Sequence, residues 1–557
     1  MIVGIDIGGT NTDAVLLKEF RIARKVKSSN EKGGILPSVT SALGKLLESI
    51  DPREVTRVVV STTLSTNSIV EGRLEEAGMI VAGGPGLDAS LFSCGSNFHL
   101  VKGALDHRGR ELLPLDEDAV KKALGSIKDA GGSSLGTVTK FSTRNPSHEL
   151  AIRELSGRVF PFVSMGHLLS GTLNFPRRIA TAFLNASVWR LHREFTEGLE
   201  KAAKGIGITA PLFVLKADGG TMKLDASSEV PVYTILSGLA ASIMGLLALT
   251  EEKSFLGLDM GGTTTDISLF HKGSPLFQPH GITLGGHLTL VRGLLSQSIG
   301  IGGDSEVTFE GPCFKVGPLR KGLPMCLGGP APALTDALMA GGAAAPGSRE
   351  KAQEAMARLA GAASLSPDET PQKIIRQAAS HIAAAARTLV NDVNSRPVYT
   401  IHELIKGEHI IPESAVAVGG PAEAMAPWLE EALGMPVLTP RHFEVANALG
   451  ASLARITAEI TLIADTERGY AAIAEDGFYG PVERGARLRE MEELAASALV
   501  KKAIARGASE SDVTPDFLES QEFSMVRGYS TAGRTIRVMV QTRPGLTGSL
   551  IKEESPC

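Results

Sequence analysis

Apolar residues run into two glycine turns and out of them again, and this pattern sets the reading of the chain. Ile2, Val3 and Ile5 approach Gly8-Gly9 and Ala14 to Leu17 lead away; Phe255, Leu256 and Leu258 approach Gly261-Gly262 and Ile267 to Phe270 lead away. Each predicts a pair of buried strands joined as a hairpin. Helical spacing follows over Gly34 to Ile50, where Asp51-Pro52 ends it, over about Arg178 to Lys204, and over Thr370 to Val393. Strands are expected at Arg57 to Val60, Met79 to Ala82, Pro211 to Leu215 and Ala415 to Val418, the last feeding Gly419-Gly420-Pro421 and a helix through Leu433. Ile235 to Leu249 is apolar almost throughout but shorter than the roughly 20 residues of a membrane span, so it predicts a buried helix. From about Thr457 the pattern changes to strands at Thr461 to Asp465, Phe523 to Tyr529 and Thr535 to Thr542 around a charged helix at Gly485 to Arg506.

The two hairpins are near-copies. Gly257-Leu258-Asp259-Met260-Gly261-Gly262-Thr263-Thr264-Thr265-Asp266 matches Gly4-Ile5-Asp6-Ile7-Gly8-Gly9-Thr10-Asn11-Thr12-Asp13 at both strand ends and through the turn. Two related half-domains facing one ligand are the expectation. Glycine at the turn makes positive φ cheap and lets backbone N–H groups approach an anion. Thr10, Thr12, Thr263 and Thr265 add hydroxyl donors, and Asn11 and Thr264 complete the turns. Asp6 and Asp259 at the incoming strand ends put carboxylates beside phosphate, tolerable only with a cation such as Mg²⁺. Asp13 and Asp266 read as braces of the turn. The Gly419-Gly420-Pro421 turn, third in order, predicts a seat for adenine or ribose at a helix N-terminus.

Composition narrows the partner. A formal charge of −5 over 557 residues leaves no basic footprint for nucleic acid, and 5% aromatic residues make a base-stacking platform improbable. Cys94, Cys313, Cys326 and Cys557 form no metal-binding spacing. The first strand begins at Ile2, which leaves no room for a signal peptide, so a cytoplasmic protein without membrane contact is expected. A small anionic ligand carried with a metal fits this picture.

Other polar loops read two ways. Ser61 to Asn67, with Thr62, Thr63 and Asn67, follows a strand and is either a substrate loop or a helix cap. Gly300 to Ser305, with Gly302, Gly303 and Asp304, is either a substrate or metal loop or a reverse turn. Arg177 and Arg178 either hold an anion or are solvated charges.

Taken together, the hairpins and the adenosine-type turn resemble the actin-like ATPase superfamily of sugar kinases, heat-shock chaperone ATPases and actin. Within it the chain is similar to the hydantoinase/oxoprolinase family, A-type (N-methylhydantoinase A-like) subunits, through Gly4 to Asp13, Ser61 to Asn67, Asn174 to Arg178, Ile235 to Ser242, Gly257 to Asp266, Gly300 to Gly303 and Val418 to Pro421. The resemblance implies an α/β fold of two actin-like (ribonuclease H-like) half-domains with mixed sheets, residues 1–190 with insertions and 191–456, plus a small α+β C-terminal region at 457–557. It implies ATP and Mg²⁺, and ATP-driven hydrolysis of a cyclic amide of hydantoin or 5-oxoproline type, with a B-type subunit and a homo-oligomer as expected partners. The alternatives are a small-molecule kinase of the same fold and the ATPase subunit of a ketone carboxylase.

Overall fold

The computed structural model describes residues 1–9, 11–29, 35–157, 159–278, 280–311, 313–344, 347–395 and 409–550. Thr10 and Cys557 lie outside them.

The first sheet is built from β1 (Ile2–Ile7), β2 (Asn11–Lys18), β3 (Arg21–Ser29), β4 (Arg57–Thr62) and β5 (Leu212–Leu215), with Thr221–Lys223 added at its edge. Helix α1 (Ile35–Leu46) joins β3 to β4, and α2 (Leu64–Val70) follows β4 directly. β1 is central, antiparallel to β2 and parallel to β4, which explains its nearly uninterrupted apolar sequence: both faces are covered. The strands lie in the order β3-β2-β1-β4-β5.

That order recurs in the second lobe. Helix α4 (Ser237–Leu249), which follows α3 (Phe175–Ile206), leads to β6 (Phe255–Met260), β7 (Thr265–His271) and β8 (Ser296–Ile299). Helix α5 (Thr370–Asn394) precedes β9 (Ser414–Val418), α6 (Ala422–Leu433), β10 (Val437–Leu438) and α7 (Ala446–Leu453). The sheet runs β8-β7-β6-β9-β10, with β6 central, antiparallel to β7 and parallel to β9. The two expected actin-like half-domains are therefore present. Their junction differs from the expected boundary at residue 190, because β5 returns to pair with β4 and the second sheet begins only after α4. A helical pattern cannot reveal which sheet its buried stripe serves.

α3 shows this directly. Its first half packs Ile179, Ala182 and Ala186 in a core with Met79, Val81 and Val138, while Phe195, Leu199 and Ala203 further on cover the first sheet. The Met79 core belongs to an inserted parallel sheet of Val163–Met165, Ser134–Thr139, Ala77–Ala82 and Phe98–Leu100, the elaboration expected at residues 100 to 160.

α4 lies between the lobes. Ala240, Ala241, Ile243, Met244 and Leu246 share one core with Val59 and Leu215 of the first sheet and with Phe255, Val416 and Val418 of the second. An apolar helix without a polar face is what burial on all sides requires. α7 crosses it without room for side chains: a Cβ on Gly450 would lie 2.1 Å from the Ala241 carbonyl oxygen, and one on Gly245 2.2 Å from that of Ala446.

The C-terminal region is an antiparallel five-stranded sheet, ordered Phe478–Pro481, Tyr470–Ile473, Glu459–Asp465, Ser530–Thr542, Pro515–Arg527, backed by α8 (Leu488–Ala505). Among the described residues no helix is long and apolar enough to cross a membrane.

Candidate active site

Both hairpin turns close the same way. Gly8 N–H donates to the Asn11 carbonyl at 3.0 Å and Gly261 N–H to that of Thr264 at 2.8 Å. In each, an aspartate of the incoming strand stands opposite one of the outgoing strand, Asp6 across from Asp13 and Asp259 across from Asp266. One expectation fails: Gly8, Gly9, Gly261 and Gly262 all have ordinary negative-side torsions, with none at positive φ. What glycine supplies here is the missing side chain. A Cβ on Gly262 would meet Asp304 Oδ2 at 2.8 Å.

The acids at the strand ends converge. Asp6 accepts a hydrogen bond from Ser61 Oγ at 2.6 Å and from Asn447 Nδ2 at 3.3 Å. Burial raises its carboxyl to about 6, with the Ser61 hydroxyl opposing and the Asp13 charge adding. Burial likewise raises Asp259 to about 7, with Asp266 and then Asp6 adding repulsion while Ser242 and the same Asn447 amide pull it back. Asn447 on the first turn of α7 thus bonds Asp6 of one lobe, while Asp259 of the other is close enough to feel both that amide and the Asp6 charge. Asn447 escapes a sequence reading because Ala446 to Leu453 looks like any short apolar helix. It is aimed only because α7 packs against β1, where a Cβ on Gly4 would lie 2.1 Å from the Ala448 carbonyl oxygen. Asp13 pairs with Lys27 at 3.1 Å and Asp266 is held by Ser298, each partner lying across from it on the next strand outward.

The third glycine turn joins them. Gly419 sits at φ +93°, and a Cβ there would lie 2.3 Å from the Met260 carbonyl oxygen and 3.0 Å from Asp259 Oδ1. Gly420 is exposed and Pro421 half-buried where α6 begins.

The loop at 300–305 backs the second hairpin. Gly303 N–H donates to the Gly261 carbonyl at 3.0 Å, Asp304 N–H to that of Gly262 at 2.6 Å, and Thr265 Oγ1 to that of Ile301 at 2.6 Å. Gly302 and Gly303 are buried in this contact, and Asp304 is paired with Arg320 at 2.8 Å. Thr12 and Thr265 are fully buried in their strands, leaving Asn11, Thr263 and Thr264 partly open at the turns.

On the first lobe, Thr62 is buried and its hydroxyl caps Leu64 N–H at 3.1 Å. Thr63 and Asn67 line a cavity of about 480 Å³ together with Gly8 and Gly9. Both arginines are engaged by backbone carbonyls: Arg178, 1% exposed, donates to that of Thr172 at 2.5 Å, and half-buried Arg177 to those of His280 and Thr289. Among the described residues no cluster of three or more His, Cys, Asp or Glu could cage a metal.

The Arabidopsis thaliana 5-oxoprolinase 1 is 27% identical over 409 residues, covering 69% of this chain and 31% of that protein, so the chain spans under a third of the relative's length. The crystal structure of ATP-dependent caprolactamase from Pseudomonas jessenii superposes with a TM-score of 0.74 at 18% identity, over 100% of this chain and 89% of the other. Nucleotide-free acetone carboxylase gives 0.72 at 16%, over 99% and 88%. The hydantoinase/oxoprolinase N-terminal region matches residues 2–160 and the hydantoinase/oxoprolinase model residues 178–460. With duplicated hairpins, strand order and nearly the whole described core accounted for, the chain belongs to the hydantoinase/oxoprolinase family.

Proposed function

We propose that the chain hydrolyses a cyclic amide of hydantoin or 5-oxoproline type in an ATP- and Mg²⁺-dependent reaction that phosphorylates the ring carbonyl oxygen. The observation that carries this reading is the convergence of Asp6 and Asp259, from opposite lobes, on the neighbourhood of Asn447. Support also comes from the family and from the 5-oxoprolinase and caprolactamase among its relatives and structural neighbours.

Resonance protects an amide from water, and nitrogen is a poor leaving group. The carbonyl oxygen attacks the γ-phosphorus of ATP and the bond to the β,γ-bridging oxygen breaks, releasing ADP. Water then adds to the carbon, the C–N bond breaks as nitrogen takes a proton, and a second water hydrolyses the acyl phosphate. The protein's part is positioning and charge neutralisation. The exposed turn backbones at Gly8-Gly9 and Gly261-Gly262, with Asn11, Thr263 and Thr264, would cradle the phosphates; Thr12 and Thr265 shape those turns from within. Gly419, Gly420 and Pro421 would seat the nucleoside, and the cavity at Thr63 and Asn67 would take the ring. An all-oxygen pair of carboxyls held above their usual pKa by burial suits a hard cation. Asp6 and Asp259 would hold Mg²⁺ directly or through water. When bound, that ion neutralises charge on the phosphates.

Mg-ATP at 100 times its Kd is expected to stabilise the protein by about 2.7 kcal/mol, seen as a rise in Tm. ADP release should then respond to 5-oxoproline or a hydantoin, with and without a B-type subunit. No Tm shift at millimolar Mg-ATP would sink the reading. A stable phosphoester product would point to a kinase, and bicarbonate-dependent turnover of a ketone to a carboxylase subunit.

A further inference from the structure

Beyond the end of β5 the chain closes a cavity of about 60 Å³ against the C-terminal region. Its walls are charged: Lys216 and Asp218 from the turn after β5, Arg292, Glu459, and Lys502 and Arg506 from the end of α8. Four of these are satisfied in pairs. Lys216 Nζ is 2.8 Å from Asp218 Oδ2, and Arg292 Nη1 is 2.9 Å from Glu459 Oε2.

Lys502 and Arg506 are different. Lys502 Nζ donates to the carbonyls of Glu459 at 3.2 Å and Glu475 at 3.4 Å, and Arg506 Nη1 to that of Thr457 at 3.2 Å. Among the described residues no carboxylate forms an ion pair with either. They stand one helical turn apart, where like charges repel, and both are partly buried. The negative end of the helix, three carbonyls and, at longer range, Glu475, Asp476 and Glu459 offset part of this for Lys502, but among the described residues neither cation has a carboxylate within ion-pair distance beside the cavity.

We propose that the cavity is a binding site for one small carboxylate, held between the Lys502 ammonium and the Arg506 guanidinium. Size supports it: at about 10–15 Å³ per enclosed water, the space suits a few waters or an ion of acetate size, not a nucleotide. Arg506 has the planar fork that matches a carboxylate. Glu475 also lines the cavity, where burial pushes its carboxyl above the ordinary value and Lys502 opposes that shift. The place is one where α/β sheets bind ligands. Ile5, Val60 and Val214 are in register across β1, β4 and β5, so Lys216 stands level with Ile7, two strand spacings or about 10 Å from the first hairpin. The site stands independently of the reaction proposed above.

The test uses the full chain without nucleotide, titrated with sodium acetate, phosphate or chloride at equal ionic strength while Tm is followed. Acetate should give a saturable rise that chloride does not, and the Lys502→Met/Arg506→Met variant should need at least tenfold more acetate for the same rise. Removing unpaired charges should leave its Tm without acetate at or above the parent's. ¹³C line broadening of labelled acetate by the unaltered protein reads binding with no variant at all. A rise that tracks ionic strength alone, an unbroadened acetate line, an unchanged titration in the variant, or tighter saturation by phosphate than by acetate would each overturn the assignment.

Discussion

Asp259→Asn is expected to lower ATP turnover at least about a hundredfold and, at pH 8, to raise the Tm of the nucleotide-free protein. Both effects come from one feature. The Asp259 carboxyl is raised from 3.8 to about 7, first by burial and then by the charges of Asp266 and Asp6. A raised folded-state pKa means that its contribution to stability is complete below pH ~4, and is lost as pH climbs through about 7. At ~1.4 kcal/mol per unit, ionising it in the folded protein costs about 4 kcal/mol, and Asp6, raised to about 6, acts in the same direction. The nucleotide-free protein should therefore lose stability from pH 4 to 7. Asparagine carries no charge to bury, so the variant should show a flatter pH profile and melt several degrees higher at pH 8, while losing the Tm gain with Mg-ATP. Thermal melts across pH and an ADP-release assay check both. Full turnover, or a lower Tm at pH 8, would remove Asp259 from the metal role.

Gly450→Ala should strongly destabilise the lobe junction. Its Cβ would lie 2.1 Å from the Ala241 carbonyl oxygen and 2.3 Å from Gly245 N, both rigid helix backbone. Neither can swing aside as a side chain does, so α7 and α4 must separate where they hold the two sheets together. Overpacking typically costs about 1–3 kcal/mol, and a backbone clash at the lobe junction belongs at or above the top of that range. Gly44→Ala is the control: no atom lies within 4 Å of its Cβ, so replacing this glycine in α1 should be neutral or gain about 0.5–1 kcal/mol. Paired melts decide it; similar Tm values for the two variants would mean that the junction yields easily.

What could be read in advance was local. The hairpins, α4, α5 and α8 announce themselves through apolar spacing, and the duplication told that there would be two lobes with one strand order. Asn447 could not be read, since an asparagine near the start of a short helix usually does nothing, and its aim depends on Gly4 letting that helix touch β1. Arg178 looked like a surface charge because its neighbours are a cap and a turn; its burial comes from the inserted sheet, whose partners lie far away in sequence. The loop at 300–305 displayed glycines suited to a ligand, yet they are spent on close packing against Gly261 and Gly262. Composition marks where the chain can approach something closely and stays silent on whether that something is a ligand or the chain itself.

In the proposed site both lobes grip a single Mg-nucleotide through Asp6 and Asp259. ATP turnover by Asp6→Asn, Asp259→Asn and the double variant tests it most directly, because groups that act on one ion as a unit are strongly non-additive. The double variant should fall little further than the worse single one; losses that multiply would show two aspartates working apart.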